Sequence, residues 1–241
     1  MTKKNIKKAA IIGAAALLLA GVAFVLAYQT DSENAPNTFT IGTDVNKPHE
    51  EFEPPDENSW YKKAVRIDNV GKVDDYIRVY LDFSNGQVKD RSLVSPQIRS
   101  YGNDAEPTEW YSMSTLTGTH EIDGTAYESY FENLPEHWVY IPETDPEDGE
   151  LLGGYFYYTL PVKPGENTNW LMGTVKTTFK EGEEKIPYDI YVYAESVQVI
   201  DKDGNYFVDG ITKLETPEEK ARFYSDETGY LKAWREFLSR K

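Results

Sequence analysis

The chain has no cysteine, only three histidines and three methionines, and a single long uncharged apolar run. Without cysteine there is no disulfide, no thiol nucleophile and no cysteine-ligated metal, so the fold must hold by packing alone. Few histidines narrow metal chemistry further. His49, His120 and His137 stand far apart, no His-Glu-x-x-His is present, and no pair has the i, i+4 spacing that sets two imidazoles on one helical face. Such isolated histidines are more often surface or hydrogen-bonded residues than zinc ligands. A Gly-x-Ser-x-Gly elbow and phosphate-cradling glycine loops are also missing. The sequence therefore nominates no catalytic, cofactor-binding or metal-binding residue and reads as a non-enzyme.

Positive charge is scarce as well. Lysine and arginine number 25 against 41 acids, a formal charge of −16, and loss of Lys3, Lys4, Lys7 and Lys8 would leave −20. Such an excess repels nucleic-acid phosphates and anionic lipid headgroups, so neither is an expected partner of the folded body. The composition, 39% hydrophobic and 14% aromatic, is too apolar for a disordered chain and predicts a real core.

The apolar run covers residues 9–27, nineteen positions without a charge behind those four lysines. It is long enough to span a bilayer, so an uncleaved anchor is one reading. Dilution by Gly13, Ala14, Ala15, Ala16 and Gly21, and the ending Val25-Leu26-Ala27, favour a signal peptide cut between Ala27 and Tyr28. The expected organisation is a signal peptide (1–27), a processed N-terminal segment with a first strand (28–45), and one folded domain (46–241). No second run of this length follows, so the membrane is an expected partner only through the N-terminal segment before cleavage. Export without cysteine suits a Gram-positive-type cell.

Strand patterns dominate the rest. Residues 38–45 alternate Phe39 and Ile41 with threonines. Residues 49–59, rich in proline and acids, read as a linker. Residues 61–67 alternate again, and Asn69-Val70-Gly71 supplies a turn. Residues 76–83 carry the clearest period of two: Ile77, Val79, Leu81 and Phe83 on one side, Tyr76, Arg78, Tyr80 and Asp82 on the other, predicting one buried face. Ser84-Asn85-Gly86 reads as a turn. Residues 88–148 hold short aromatic runs between loops, with a turn at 145–149. Strands follow at 154–162 and 168–179, the first closed by Lys163-Pro164-Gly165. In residues 188–200 the apolar side switches near Glu195, which predicts either a bulge or cover on both faces. Asp201, Asp203 and Asn205 faintly resemble a calcium loop, but the glycine falls too early and Thr212 stands where a glutamate belongs, so a hairpin turn fits better.

The period changes near the C-terminus. Thr216-Pro217-Glu218-Glu219 is a capping box with proline at the first helical position, and Tyr230, Leu231, Trp234, Phe237 and Leu238 form one stripe of a second helix. That stripe is expected to pack on the sheet rather than await a partner. Short strands, Gly/Pro turns and helices only near the C-terminus (about 216–239) predict an all-β, antiparallel β-sandwich. The eighteen tyrosines fit cross-strand pairing more simply than carbohydrate stacking.

Four runs then carry a resemblance. The junction Leu26-Ala-Tyr-Gln-Thr-Asp31 followed by Asn37-Thr38-Phe39-Thr40-Ile41-Gly42 resembles the processing region of proteins with SipW-type signal peptides, the TasA/camelysin family. Val65-Arg-Ile-Asp-Asn-Val-Gly-Lys-Val-Asp-Asp-Tyr-Ile-Arg-Val79 is similar to its strand, Asn-x-Gly turn and Tyr-x-Arg-Val strand. Gly154-Tyr-Phe-Tyr-Tyr158 with Val162-Lys-Pro-Gly-Glu-Asn-Thr168, and Ile190-Tyr-Val-Tyr-Ala-Glu-Ser-Val-Gln198, resemble later strands of the family. The middle hundred residues and the C-terminal helices match it little.

The resemblance implies a jelly-roll-like sandwich, export by a SipW-type signal peptidase, and an extracellular or cell-surface role in the biofilm matrix. It further implies fibres built when the freed N-terminal segment, Asn37 to Gly42, is donated as a strand to the next subunit or another matrix protein. Two rivals stand beside it: a monomeric surface-binding module kept on an uncleaved anchor, and a secreted metal-dependent protease, a label the family has carried but for which this chain offers no ligand set.

Overall fold

Side-chain alternation, not helix propensity, builds most of this molecule. A computed structural model describes residues 46–52, 60–144, 151–179, 186 and 188–239, and its strands and helices belong to one compact unit, Gly42–Lys241. Eleven strands are described, β1 (Asn46–Phe52), β2 (Trp60–Asn69), β3 (Asp75–Phe83), β4 (Ser92–Ser95), β5 (Tyr111–Ser112), β6 (Thr119–Ile122), β7 (Thr125–Glu128), β8 (Trp138–Thr144), β9 (Leu151–Tyr158), β10 (Met172–Thr177) and β11 (Ile190–Gln198). Three short helices accompany them: α1 (Gly86–Lys89), α2 (Pro217–Tyr224) and α3 (Gly229–Leu238).

One sheet runs β1-β2-β10-β4-β5, a second runs β11-β3-β9-β8, and β6-β7 is a separate hairpin; every strand pairing is antiparallel. Val65 and Ile67 of β2, Val94 of β4 and Val175 of β10 join Ile77 and Val79 of β3 and Phe156 of β9 in one core between the two larger sheets, all of them essentially excluded from solvent. The result is an all-β, sandwich-like fold, as predicted. Each such side chain contributes about 1.5–3 kcal/mol of burial free energy, so packing alone suffices without a covalent cross-link.

Three local expectations change. The predicted linker at 49–59 is strand as far as Phe52, because β1 reaches that residue. As an outer strand of its sheet, β1 tolerates Pro48. Ser84-Asn85-Gly86 is a helix start rather than a tight turn: Asn85 Oδ1 accepts from the Gln87 and Val88 amides and caps α1. The single buried face of β3 holds for Tyr80 and Asp82, which are half-exposed, but Tyr76 and Arg78 are 0% and 2% exposed. They lie in a second core with Tyr157, Val197, Val208, Phe223, Tyr230 and Trp234, where α2 and α3 cover the outside of the second sheet.

That second core also decides between the two readings of residues 188–200. β11 pairs with β3 from Ile190↔Phe83 to Gln198↔Asp75 without a register break. Ile190, Val192 and Ala194 pack on the inter-sheet core, and Val197 and Val199 on the helical one. The inner face is covered along the strand and the outer face at Val197 and Val199, while Tyr191 and Tyr193 stay exposed, and no bulge is needed. A bulge does occur in β10 at Gly173, where a Cβ would overlap the Gln97 carbonyl.

The capping box at Thr216 and Glu219 forms as expected, with reciprocal side-chain to backbone bonds of 2.9 and 3.1 Å. Of the α3 stripe, Tyr230 and Trp234 are buried, Leu231 and Phe237 partly so, and only Leu238 is exposed. Among the described residues no helix is long and apolar enough to cross a membrane. The cleavage pair Ala27–Tyr28, the segment Asn37–Gly42, the strand predicted at 38–45 and the turn predicted at 145–149 lie outside the described residues.

Candidate functional site

β11 is the strand on which the candidate site is built. It is the outermost member of its sheet and ladders to β3 along all nine residues. Strands exposed in this way are normally blunted by proline, lysine or a bulge. Ile190–Gln198 contains no proline, no lysine and no register shift. β1 comes within 8 Å of β11 by Cα distance, yet no ladder joins them.

Beside that edge, the outer face of the second sheet divides into covered and open rows. Register places Glu195, Arg78, Tyr157 and Val139 in one row across the four strands. This row runs toward α3. Arg78 Nε donates to Glu195 Oε2 at 2.7 Å and Arg78 Nη1 to the Tyr157 hydroxyl at 3.1 Å, while the guanidinium carbon sits 3.8 Å from the Tyr155 ring centre and 4.4 Å from that of Trp234. The next row, Tyr193, Tyr80, Tyr155 and Ile141, is open at its β11 end: Tyr193 is 57% exposed, the other three are half-buried, and the Tyr80 and Tyr155 rings meet edge to face at 6.0 Å. Beyond it lie Tyr191, 55% exposed, opposite Asp82, and Glu143 on β8. Lys89 neutralises Asp82 from α1 at 2.7 Å. Burial, then Glu195, pushes the Tyr155 hydroxyl up to about 12, so it stays a neutral donor.

At the opposite end of β2 and β3 two turns interlock. Asn69 Nδ2 donates to the Val73 and Val162 carbonyls, both at 2.8 Å, and its Oδ1 accepts from the Gly71 amide. Gly165 N donates to Asn69 O at 2.8 Å, and Val162 bridges Asp75 in both directions. Lys163 lies 4.2 Å over the Tyr224 ring, whose hydroxyl donates to Asp74 at 2.7 Å, tying α2 to the same corner. This junction is a brace rather than a pocket.

His120 and His137 stay apart. His120 Nε2 lies 3.0 Å from the Asp90 carbonyl, and His137 Nδ1 lies 2.6 Å from Glu227. Among the described residues no group of three or more His, Asp or Glu is placed to hold a metal ion. Asp201 to Asn205 forms the expected turn: Asp201 Oδ1 accepts from the Asp203 and Asn205 amides, closed by an Ile200↔Tyr206 bridge.

Sequence reading marked the segment before β1 but passed over Tyr191, Tyr193 and Arg78. Their signal was present in the polar half of the alternation in β3 and β11, which looks like ordinary solvated surface until the strand register aligns it. Against known proteins, the chain matches no family model, no curated protein and no solved structure.

Proposed function

We propose that the protein is a secreted, non-catalytic structural component of the cell surface or biofilm matrix of a Gram-positive-type bacterium. It is exported by a SipW-type signal peptidase that cuts between Ala27 and Tyr28. On this reading the jelly-roll-like sandwich self-assembles: residues 37–42 of one molecule, freed by cleavage, add as a strand to the β11 edge of the next, giving fibres. The observation that carries it is β11 itself, an outer strand of nine residues without proline, lysine or a register shift. A donated strand adds its own amides and carbonyls to an edge strand in a further ladder. The proximity of β1 to β11 supports the reading.

The absence of cysteine allows a clean test. Two single-cysteine variants, Thr40→Cys and Tyr191→Cys, are mixed and treated with a short bifunctional thiol reagent, which tolerates a slip of register. Strand donation predicts a mixed cross-linked dimer that excess unlabelled wild-type protein competes away. A mixture yielding only products expected from random collision, equal to that from Thr40→Cys with Lys202→Cys on the distant turn, would contradict it.

A further inference from the structure

We infer that β1 gates the β11 edge: a strand from another copy ladders to β11 only after β1 has moved off it. The gate presupposes strand donation and regulates it. β1 and β11 belong to different sheets, yet their backbones come within 8 Å of each other by Cα distance without a ladder. β1 starts opposite Asn69 and β11 stops opposite Asp75, so these two ends lie at the two feet of the β2–β3 turn. Laddered strands lie about 4.8 Å apart, so a strand standing between two others needs about 9.6 Å. The gap between β1 and β11 is narrower than that. A donated strand therefore has no room along the stretch where they approach.

The backbone of β1 explains why it stands there without laddering to β11. On β2 the backbone groups of Val65, Ile67 and Asn69 are turned away from β1. Leu171 N donates to Val65 O at 2.7 Å, Thr168 N to Ile67 O at 2.9 Å, and Gly165 N to Asn69 O at 2.8 Å. Bonded and unbonded pairs alternate along an antiparallel ladder. The bonded partners of β1 are thus Ala64, Arg66 and Asp68, and the backbone groups of Asn46, Pro48 and Glu50, opposite the other three, point away from β2. Pro48 stands at the centre of that outward row and has no N–H to give. A proline so placed blunts β1 against a further strand. β1 therefore shields β11 without closing on it, and among the described strands only β2 ladders to β1. A strand held by one ladder opens more readily than the strands within the sheet.

A chain without cysteine lets the gate be locked. His49 and Arg66 form a bonded pair, whose Cα atoms lie about 5.5 Å apart in such ladders, the usual span of a disulfide. In protein beginning at Tyr28, which holds the whole described fold, His49→Cys with Arg66→Cys is either oxidised or kept reduced. Self-association of the two forms is followed by light scattering at equal concentration, and a monomer band on a non-reducing gel confirms a disulfide within one chain. Strand addition scales with the fraction of molecules whose gate is open, so the oxidised form should assemble at least about tenfold more slowly, and reductant should restore it. Glu51→Pro, which removes the N–H facing Ala64 and so loosens β1, should assemble faster than wild type. Equal rates for the oxidised and reduced forms would overturn the gate and leave strand donation standing. A disulfide between chains would also overturn it, because β1 itself would then be the exchanged strand. No assembly by wild type, the reduced form or Glu51→Pro would overturn strand donation, and the gate with it. Circular dichroism of each form separates a changed rate from a lost fold.

Discussion

The Asn69 side chain donates to the carbonyl of Val162, ninety-three residues further along the chain, at 2.8 Å, and neither side chain is exposed to solvent beyond 2%. One amide thus holds the β2–β3 turn to the turn that follows β9. Replacing Asn69 by Ala takes the side-chain partner from the half-buried Val73 carbonyl and Gly71 amide, at roughly 1–3 kcal/mol for each group left unpaired, while the Val162 carbonyl keeps its bond from the Asp75 amide. Asn69→Ala should lower the unfolding free energy by about 2–4 kcal/mol, read from the midpoint in urea at unchanged slope. A loss below about 1 kcal/mol would show that the two turns hold together without it.

Arg78 and Glu195 make a different kind of link, because both are charged and Arg78 is only 2% exposed. Removing one partner leaves the other charge uncompensated, which costs about 3–5 kcal/mol in buried pairs. Glu195→Gln should therefore destabilise strongly and also shift Trp234 fluorescence, since the guanidinium lies against that indole. Arg78→Met with Glu195→Gln should recover much of the loss, because then no charge is stranded.

Gly229 opens α3 directly against Tyr76. A Cβ there would overlap the Tyr76 hydroxyl and crowd Val208. In an open helix, Gly to Ala would stabilise by about 1 kcal/mol; here Gly229→Ala should destabilise by about 1–3 kcal/mol through overpacking. Tyr76→Phe removes the atom in the way. The double variant should be more stable than the sum of the two single effects, a coupling measurable in a denaturation cycle.

Acid should loosen the same helix. Burial alone would raise the Asp226 carboxyl, but hydrogen bonds from Thr228 and Gly229 together hold it below its ordinary value. A depressed carboxylate contributes stability that is complete above the unfolded pKa of about 3.9 and is lost as pH falls through the lower folded value. Asp226→Asn, whose amide oxygen can still accept those bonds, should flatten the stability–pH curve below about pH 4. An unchanged slope would mean that other carboxylates carry the acid response.

The strands were legible where one side of the chain had to be apolar: Ile77, Val79, Leu81 and Phe83 announce β3 by spacing alone. The capping box at Thr216 was equally plain, because its chemistry is local. What stayed hidden depends on what covers a strand from outside. Nothing in Tyr76 or Arg78 says that α3, some 150 residues later, will bury them, nor that Tyr193 will remain open. The outer tyrosine row exists only once β11, β3 and β9 are brought into register, and long-range register is not written in any one segment. The Ser84-Asn85-Gly86 misreading has a simpler cause: the same residues suit a turn and a helix cap.

Assembly through the freed N-terminal segment is tested most directly by negative-stain microscopy of protein beginning at Tyr28, followed over rising concentration beside protein beginning at Asn46. The first should form fibres that lengthen and multiply with concentration, while the second stays monomeric with an unchanged circular dichroism spectrum. Monomers at every concentration in the first, or fibres in the second, would contradict strand donation.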